Sequence, residues 1–180
     1  MAQSATIFKA DIQISDMDRN YYASHKLTIA RHPSETDLRM MLRLLAFTIH
    51  ADEQLQFTKG ISTDDEPDLW NKSLSGEMEL WIELGTPDEK RLKKACGLSK
   101  QVALYTYNER SAKVWWEKNQ SNLQRFKNLN VYFIKDEIAE SLSALAQRNM
   151  QLQITIQDGD IYFGDESNNI AVECENWKDS

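Results

Sequence analysis

Glu77-Met78-Glu79-Leu80-Trp81-Ile82-Glu83-Leu84-Gly85-Thr86-Pro87-Asp88-Glu89 is the stretch that decides the fold. Its first part alternates. Met78, Leu80, Ile82 and Leu84 share one face and Glu79, Trp81 and Glu83 the other, which is the period of a half-buried strand. Thr86 then offers an N-cap, Pro87 a first helical position and Glu89 the reciprocal acid of a capping box, so a helix is expected to follow at once. Gly97 supplies its stop. Val102-Ala103-Leu104-Tyr105, within residues 101–107, reads as a buried strand. Strand, helix and strand in such close order imply a parallel crossover.

Working upstream, Ile7, Ile12 and Ile14 and then Leu27-Thr28-Ile29 predict two antiparallel strands. Pro33 breaks the chain. Ser34-Glu35-Thr36-Asp37 has the form of a capping box with Ser34 as N-cap. Leu38, Met41, Leu42, Leu45 and Ile49 recur at helical spacing to about His50. Leu55-Gln56-Phe57-Thr58 is a short strand ending at Gly60. Residues 62–68 form an acidic loop, followed by a strand or wide turn near Asp68 to Trp70. Downstream, Ala112, Trp115, Trp116, Leu123 and Phe126 mark a helix over 111–126. Val131-Tyr132-Phe133-Ile134 is a strand and 136–147 a helix. Leu152, Ile154 and Ile156 lead into Asp158-Gly159, a two-residue hairpin signal, and Ile161 and Phe163 return. A last strand covers 170–174. The expected architecture is an α/β (α+β) single domain over residues 1–180. Its centre runs helix, strand, strand, strand, helix, strand in a mixed sheet, with β-hairpins at both ends.

Composition narrows the function classes. At 180 residues the chain suits one domain with a real core, and 41% apolar against 27% charged residues is the balance of a soluble protein. No apolar run approaches the roughly 18 residues of a membrane span, and the first residues lack the basic-then-apolar order of a secretory signal. Cys96 and Cys174 stand far apart, so two reduced thiols in a cytoplasmic protein are expected. His25, His32 and His50 lack zinc-site spacing. The net charge of -7 disfavours indiscriminate duplex binding. A local basic stretch nevertheless runs through Lys90, Arg91, Lys93, Lys94, Lys100, Arg110 and Lys113. No Gly-rich phosphate loop, serine-hydrolase elbow or Cys-His pattern is present, and no small-molecule cofactor is implied.

Chemistry gathers around Asp68 and Glu83. If Asp68 begins a strand antiparallel to the Glu83 strand, the two carboxylates can share one divalent ion, Mg²⁺ or Mn²⁺, with water and phosphate completing the shell. The bland alternatives are a turn or cap residue at Asp68 and an exposed strand acid at Glu83. Glu35 can serve as a third acid. It can equally complement the helix dipole and pair with Arg39 and Arg43 along one helix face. Lys94 and Lys90, one turn apart, can each aim an ammonium at the site, and Arg91 can aim its cation there as well. Arg91, Lys93 and Arg31 are candidate phosphate contacts. The alternative for the residues of the 90–94 run is a solvated basic face, and for Arg31 that it simply ends a strand. Trp81 and one of Trp115 and Trp116 can stack on bases.

These residues resemble the YaeQ family. The resemblance runs through Ala30-Arg31-His32-Pro33-Ser34-Glu35-Thr36, Arg39-Met40-Met41-Leu42-Arg43-Leu44-Leu45-Ala46, Asp64-Asp65-Glu66-Pro67, Leu80-Trp81-Ile82-Glu83-Leu84-Gly85 and Gln153-Ile154-Thr155-Ile156-Gln157-Asp158-Gly159, so it spans essentially the whole chain. That family in turn resembles the PD-(D/E)XK nucleases, whose restriction-endonuclease-like core has the element order given above. The resemblance implies that Pro67-Asp68 is the PD pair, with Asp68 a metal ligand. It makes Glu83 the second carboxylate and Glu35 the helical acid. Gly85 replaces the expected lysine, and the resemblance allows that cation to have moved to Lys94 or Lys90. The expected function is a Mg²⁺-dependent nuclease acting on DNA. The alternatives are a non-catalytic nucleic-acid-binding module and a protein-interaction adaptor using the C-terminal hairpin.

Overall fold

The computed structural model describes residues 4–58 and 65–179. The expected strand end at Gly60 and the loop residues 62–64 lie outside them. In chain order the elements are β1 (Thr6–Asp16), β2 (Tyr21–Arg31), α1 (Asp37–Ile49), β3 (Leu55–Phe57), β4 (Leu69–Lys72) and β5 (Met78–Leu84). They continue with α2 (Glu89–Leu98), β6 (Gln101–Thr106), α3 (Glu109–Leu123), β7 (Leu129–Phe133) and α4 (Asp136–Ser143). The chain ends with β8 (Asn149–Gln157), β9 (Asp160–Gly164), β10 (Asn169–Val172) and β11 (Glu175–Lys178). The expected central order is present, as α1, β3, β4, β5, α2, β6. The fold is a mixed α+β arrangement with two sheets, and the chain gathers into two compact units.

The first unit holds the residues before Ile49 together with Glu137–Glu173. Its five-stranded sheet runs β10-β9-β8-β1-β2. The two terminal hairpins, expected as separate features, share this sheet because β8 pairs in parallel with β1. Phe8, Ala10, Ile12 and Ile14 of β1 and Met150, Leu152, Ile154 and Ile156 of β8 are buried on one face. The Asp158-Gly159 turn has positive φ at both residues, as a type I′ hairpin requires. Asp18, from the β1–β2 turn, accepts hydrogen bonds from Asp158 N (2.7 Å) and Gly159 N (2.9 Å). Asp18→Ala is expected to lower the unfolding free energy by about 1 kcal/mol, because two turn amides return to water. Urea titration of wild type and variant checks this.

α1 begins later than the capping box implied. Ser34 shares a hydrogen bond with His32 Nδ1, and Thr36 Oγ1 accepts from Arg39 N at 3.1 Å, so Thr36 provides the cap. From Met40 to Thr48 the helix is buried throughout, including Arg43.

The second unit covers Ile49–Asp136 and the residues from Cys174 onward. Its six-stranded sheet runs β11-β7-β6-β5-β4-β3. β5, β6 and β7 are parallel, joined by α2 and α3, as the crossover reading expected. β3, β4 and β5 form an antiparallel meander. One core cluster packs α2 and α3 onto the parallel strands through Trp81, Leu92, Val102, Leu104, Trp115 and Leu129. Trp116 packs against Trp177 of β11 (5.6 Å between ring centroids), which itself stacks on Phe133 at 4.8 Å. The tryptophan expected to be left over for base stacking is therefore part of this aromatic cluster. β11 itself was not anticipated, since Glu175-Asn176-Trp177-Lys178 carries no apolar alternation.

The start of α2 also corrects the sequence expectation. Asp88, not Thr86, is the N-cap, and its Oδ1 accepts from Arg91 N at 2.8 Å. Pro87 stays outside the helix and its carbonyl accepts from Trp115 Nε1 at 2.6 Å. Gly97 lies within α2, which ends at Leu98 with Ser99 N bonded to Ala95 O.

Candidate metal centre

The carboxyl end of β5 builds the site. The β4–β5 ladder begins with Leu69 opposite Ile82, so Asp68, the residue just before it, lies near the Glu83 end of β5. Its backbone is tied to the same strand, with Asp68 N donating to Ile82 O at 3.0 Å. The side chain is fixed as well, since Leu84 N donates to Asp68 Oδ2 at 2.8 Å. Both acids are 4% exposed. The strand alternation expected Glu83 on an open face. Instead Trp81, Ile82, Glu83 and Leu84 are all buried.

Two donors converge on Glu83 Oε1. Trp81 Nε1 lies at 3.0 Å and Arg91 Nε at 2.9 Å. Arg91 Nη2 stands 2.8 Å from the same oxygen and donates to Glu66 O at 2.7 Å. Burial pushes the Glu83 carboxyl above the usual carboxylate range; Arg91 and Trp81 oppose this, while the Asp68 charge reinforces it.

The cation that meets Glu83 is thus Arg91, one turn into α2. The sequence offers Lys94, Lys90 and Arg91 to the acid pair and favours a lysine; the arginine is the one in contact. Lys94 bonds Asp65, whose pKa is lowered by that contact, and Lys90 and Lys93 lie exposed on α2. The signal available in the sequence was positional. Arg91 follows the Asp88 cap by three residues, in the turn that folds back over the end of β5.

Gly85 has a physical explanation. Its φ is +107°, a conformation that disfavours any side chain, although a Cβ there would meet nothing within 4 Å. Backbone shape, not lack of room, keeps a lysine out of this position. Gly85 N donates to Tyr105 O at 2.9 Å, which holds the conformation.

Glu35 belongs to the first unit. Its carboxylate receives Arg39 Nη1 at 2.8 Å and Arg43 Nε at 2.9 Å, the ladder that helix spacing offered as its alternative role. Arg31, in the same unit, pairs with Asp37 and covers the Phe8 ring at 5.1 Å. Among the described residues no group of three or more His, Cys, Asp or Glu side chains is arranged to hold a metal. Any ion at Asp68 and Glu83 would have two protein carboxylates, within the range magnesium uses. A cleft of about 830 Å³ lies elsewhere in this unit, towards the start of β5 and the end of α2, lined among others by Trp70, Lys72, Met78, Leu98 and Lys100; Asp68, Glu83 and Arg91 are not among its lining residues.

Comparison with known proteins agrees over the full length. The model of the family described as "YaeQ protein" matches residues 1–174. Relatives named "Uncharacterized protein YaeQ" are 52% identical in Escherichia coli K12 and 49% identical in Salmonella typhi. Each match covers 99% of this chain and 98% of the relative. The crystal structure of YaeQ from Xanthomonas axonopodis pv. citri is 43% identical with a TM-score of 0.94, covering 98% of this chain and 100% of that one. The YaeQ structure from Pseudomonas syringae is 35% identical with a TM-score of 0.93, covering 98% and 97%. The chain belongs to the YaeQ family.

Proposed function

We propose that this protein is a Mg²⁺-dependent phosphodiester hydrolase acting on DNA, with Mn²⁺ an alternative metal. The observation that carries the reading is the pair of buried acids Asp68 and Glu83, the charge of one acting on the other, with Arg91 directly on Glu83. Asp68 and Glu83 would hold the ion, which supplies charge for a phosphoryl oxygen and an acidified water. The Leu84 amide fixes the Asp68 carboxylate, so its second oxygen keeps one orientation. Arg91 offers a planar, permanently charged donor set suited to phosphate, and takes the role the sequence reading gave to Lys94 or Lys90. Resemblance to PD-(D/E)XK nucleases supports the same assignment. Lys93 is proposed as a phosphate contact, whereas Glu35 and Arg31 belong to the first unit and pair there with Arg39 and Arg43 and with Asp37. No helix among the described residues is long and apolar enough to cross a membrane, and a cytoplasmic location is the accompanying proposal.

The second reading is a non-catalytic nucleic-acid-binding module. The backbone conformation of Gly85 and the pairing of Lys94 with Asp65 favour it, because among the described residues no lysine amine bonds to the acid pair. Calorimetric titration with Mg²⁺, together with cleavage assays on single- and double-stranded DNA, tests both. For the hydrolase, Asp68→Ala and Glu83→Ala each weaken Mg²⁺ binding at least about tenfold and abolish cleavage. Unchanged metal affinity in both variants ends that reading. Salt-dependent DNA binding without turnover establishes the second.

A further inference from the structure

The solvent face of the first sheet carries a groove unrelated to the acid pair. Strand register sets Lys26, Asp11 and Gln151 in one row across β2, β1 and β8, and Ser24, Gln13 and Gln153 in the next. These side chains line a groove of about 430 Å³, and a hollow of about 240 Å³ continues it past Gln151. One row further on lie Tyr22, Ser15, Thr155 and Tyr162. The two tyrosines are 59% and 39% exposed and stand three strands apart, about 14 Å.

The groove has a constructed wall. Gly164 lies opposite Gln153, and a Cβ there would come within 2.0 Å of Asn168 O, so the β9–β10 turn folds directly over this face. Asp165 braces the turn by accepting from Ser167 N (2.9 Å), Asn168 N (2.8 Å) and Asn168 Nδ2 (3.1 Å). Glu166, at its tip, lines both hollows.

We propose that this groove binds a neutral, polyhydroxylated ligand, a short uncharged oligosaccharide. Each sugar hydroxyl both donates and accepts, and glutamine amides offer both groups side by side. The tyrosine rings provide faces for the C–H side of a pyranose. Charge argues against nucleic acid, since Asp11, Asp165 and Glu166 line the two hollows against Lys26 alone. An extended peptide would find its backbone partners along a strand edge, not across a sheet face.

The test is a titration of the full-length ¹⁵N-labelled protein with maltohexaose, cellohexaose and xylohexaose, and with hexauridylate as the anionic counter-probe. At least one hexasaccharide is expected to shift the side-chain amide signals of Gln13, Gln151 and Gln153 saturably, with a Kd of about 1 mM or tighter. Tyr22→Ala and Gln153→Ala each weaken that binding about fivefold or more while the Tm stays unchanged. The proposal is overturned if all three saccharides leave these signals unmoved, if both variants bind as wild type, or if hexauridylate alone occupies the face.

Discussion

Arg91→Met lowers the unfolding free energy at neutral pH by about 3 kcal/mol, because it leaves a buried carboxylate without its counter-ion. Glu83 is 5% exposed and Arg91 25%, so water can do little to replace the lost cation. The loss has a pH signature. In the wild type, burial and Asp68 raise the Glu83 pKa above its ordinary 4.5, while Arg91 and Trp81 hold it back. Without Arg91 the folded-state value climbs further. A group whose folded pKa is raised contributes stability that is complete below its unfolded pKa and is lost as pH rises through the folded value. The variant should therefore be weakest at neutral pH and recover on acidification towards pH 4.5. Urea titrations at pH 5 and pH 7.5 decide the matter. A loss equal at both would place Arg91's contribution in its bond to the Glu66 carbonyl instead. Saturating Mg²⁺ gives a second readout. If the two carboxylates bind the ion, at a hundredfold excess over Kd it restores about 2.7 kcal/mol to the variant.

The parts of the fold that the sequence made legible are those governed by short-range period. The β5–α2–β6 crossover, the Asp158-Gly159 hairpin and the stripe of α1 all follow from alternation, turn chemistry or helical spacing. Parallel pairing of β8 with β1 is invisible to such signals, because it depends on which strands meet after the intervening chain has folded. β11 was missed for a related reason. Its Trp177 is apolar, but its Lys178 is buried only because Nζ reaches the carbonyls of Phe126 (2.8 Å) and Leu129 (3.0 Å). Both caps lie two residues beyond the Ser34 and Thr86 expected from the sequence, because Thr36 and Asp88 are the better-placed acceptors. At the site, sequence spacing was enough to nominate Asp68 and Glu83 as an acid pair. It did not identify their cation, since Arg91, Lys90 and Lys94 lie within four residues of one another. Which of them turns back over β5 is set by the helix phase that Asp88 imposes.

Glu35→Ala should be the most destabilising single change in the first unit, costing about 3–5 kcal/mol. The Glu35 side chain is 3% exposed and holds Arg43, itself 5% exposed, and Arg39. Removing the carboxylate leaves the Arg43 guanidinium in the interior without the charge it pairs with, while Nη2 keeps its bond to Ala30 O at 3.1 Å. The reverse experiment separates charge from packing. In Glu35→Ala/Arg43→Met the buried charge disappears with its partner, and a large part of the lost stability should return, since a buried pair replaced by apolar groups is often close to neutral. A double-mutant cycle by urea unfolding measures the coupling; purely additive losses would show that Glu35 and Arg43 act separately. The same Glu35→Ala protein, titrated with Mg²⁺ below its unfolding midpoint, distinguishes the two roles open to this residue. A structural carboxylate leaves metal affinity at the wild-type value. An assisting ligand weakens it towards the level of Asp68→Ala, because magnesium replaces a missing carboxylate with water only at a cost in affinity. The strength of the arginine clamp favours the structural outcome: two guanidinium groups already occupy this carboxylate, and an ion would have to displace at least one of them.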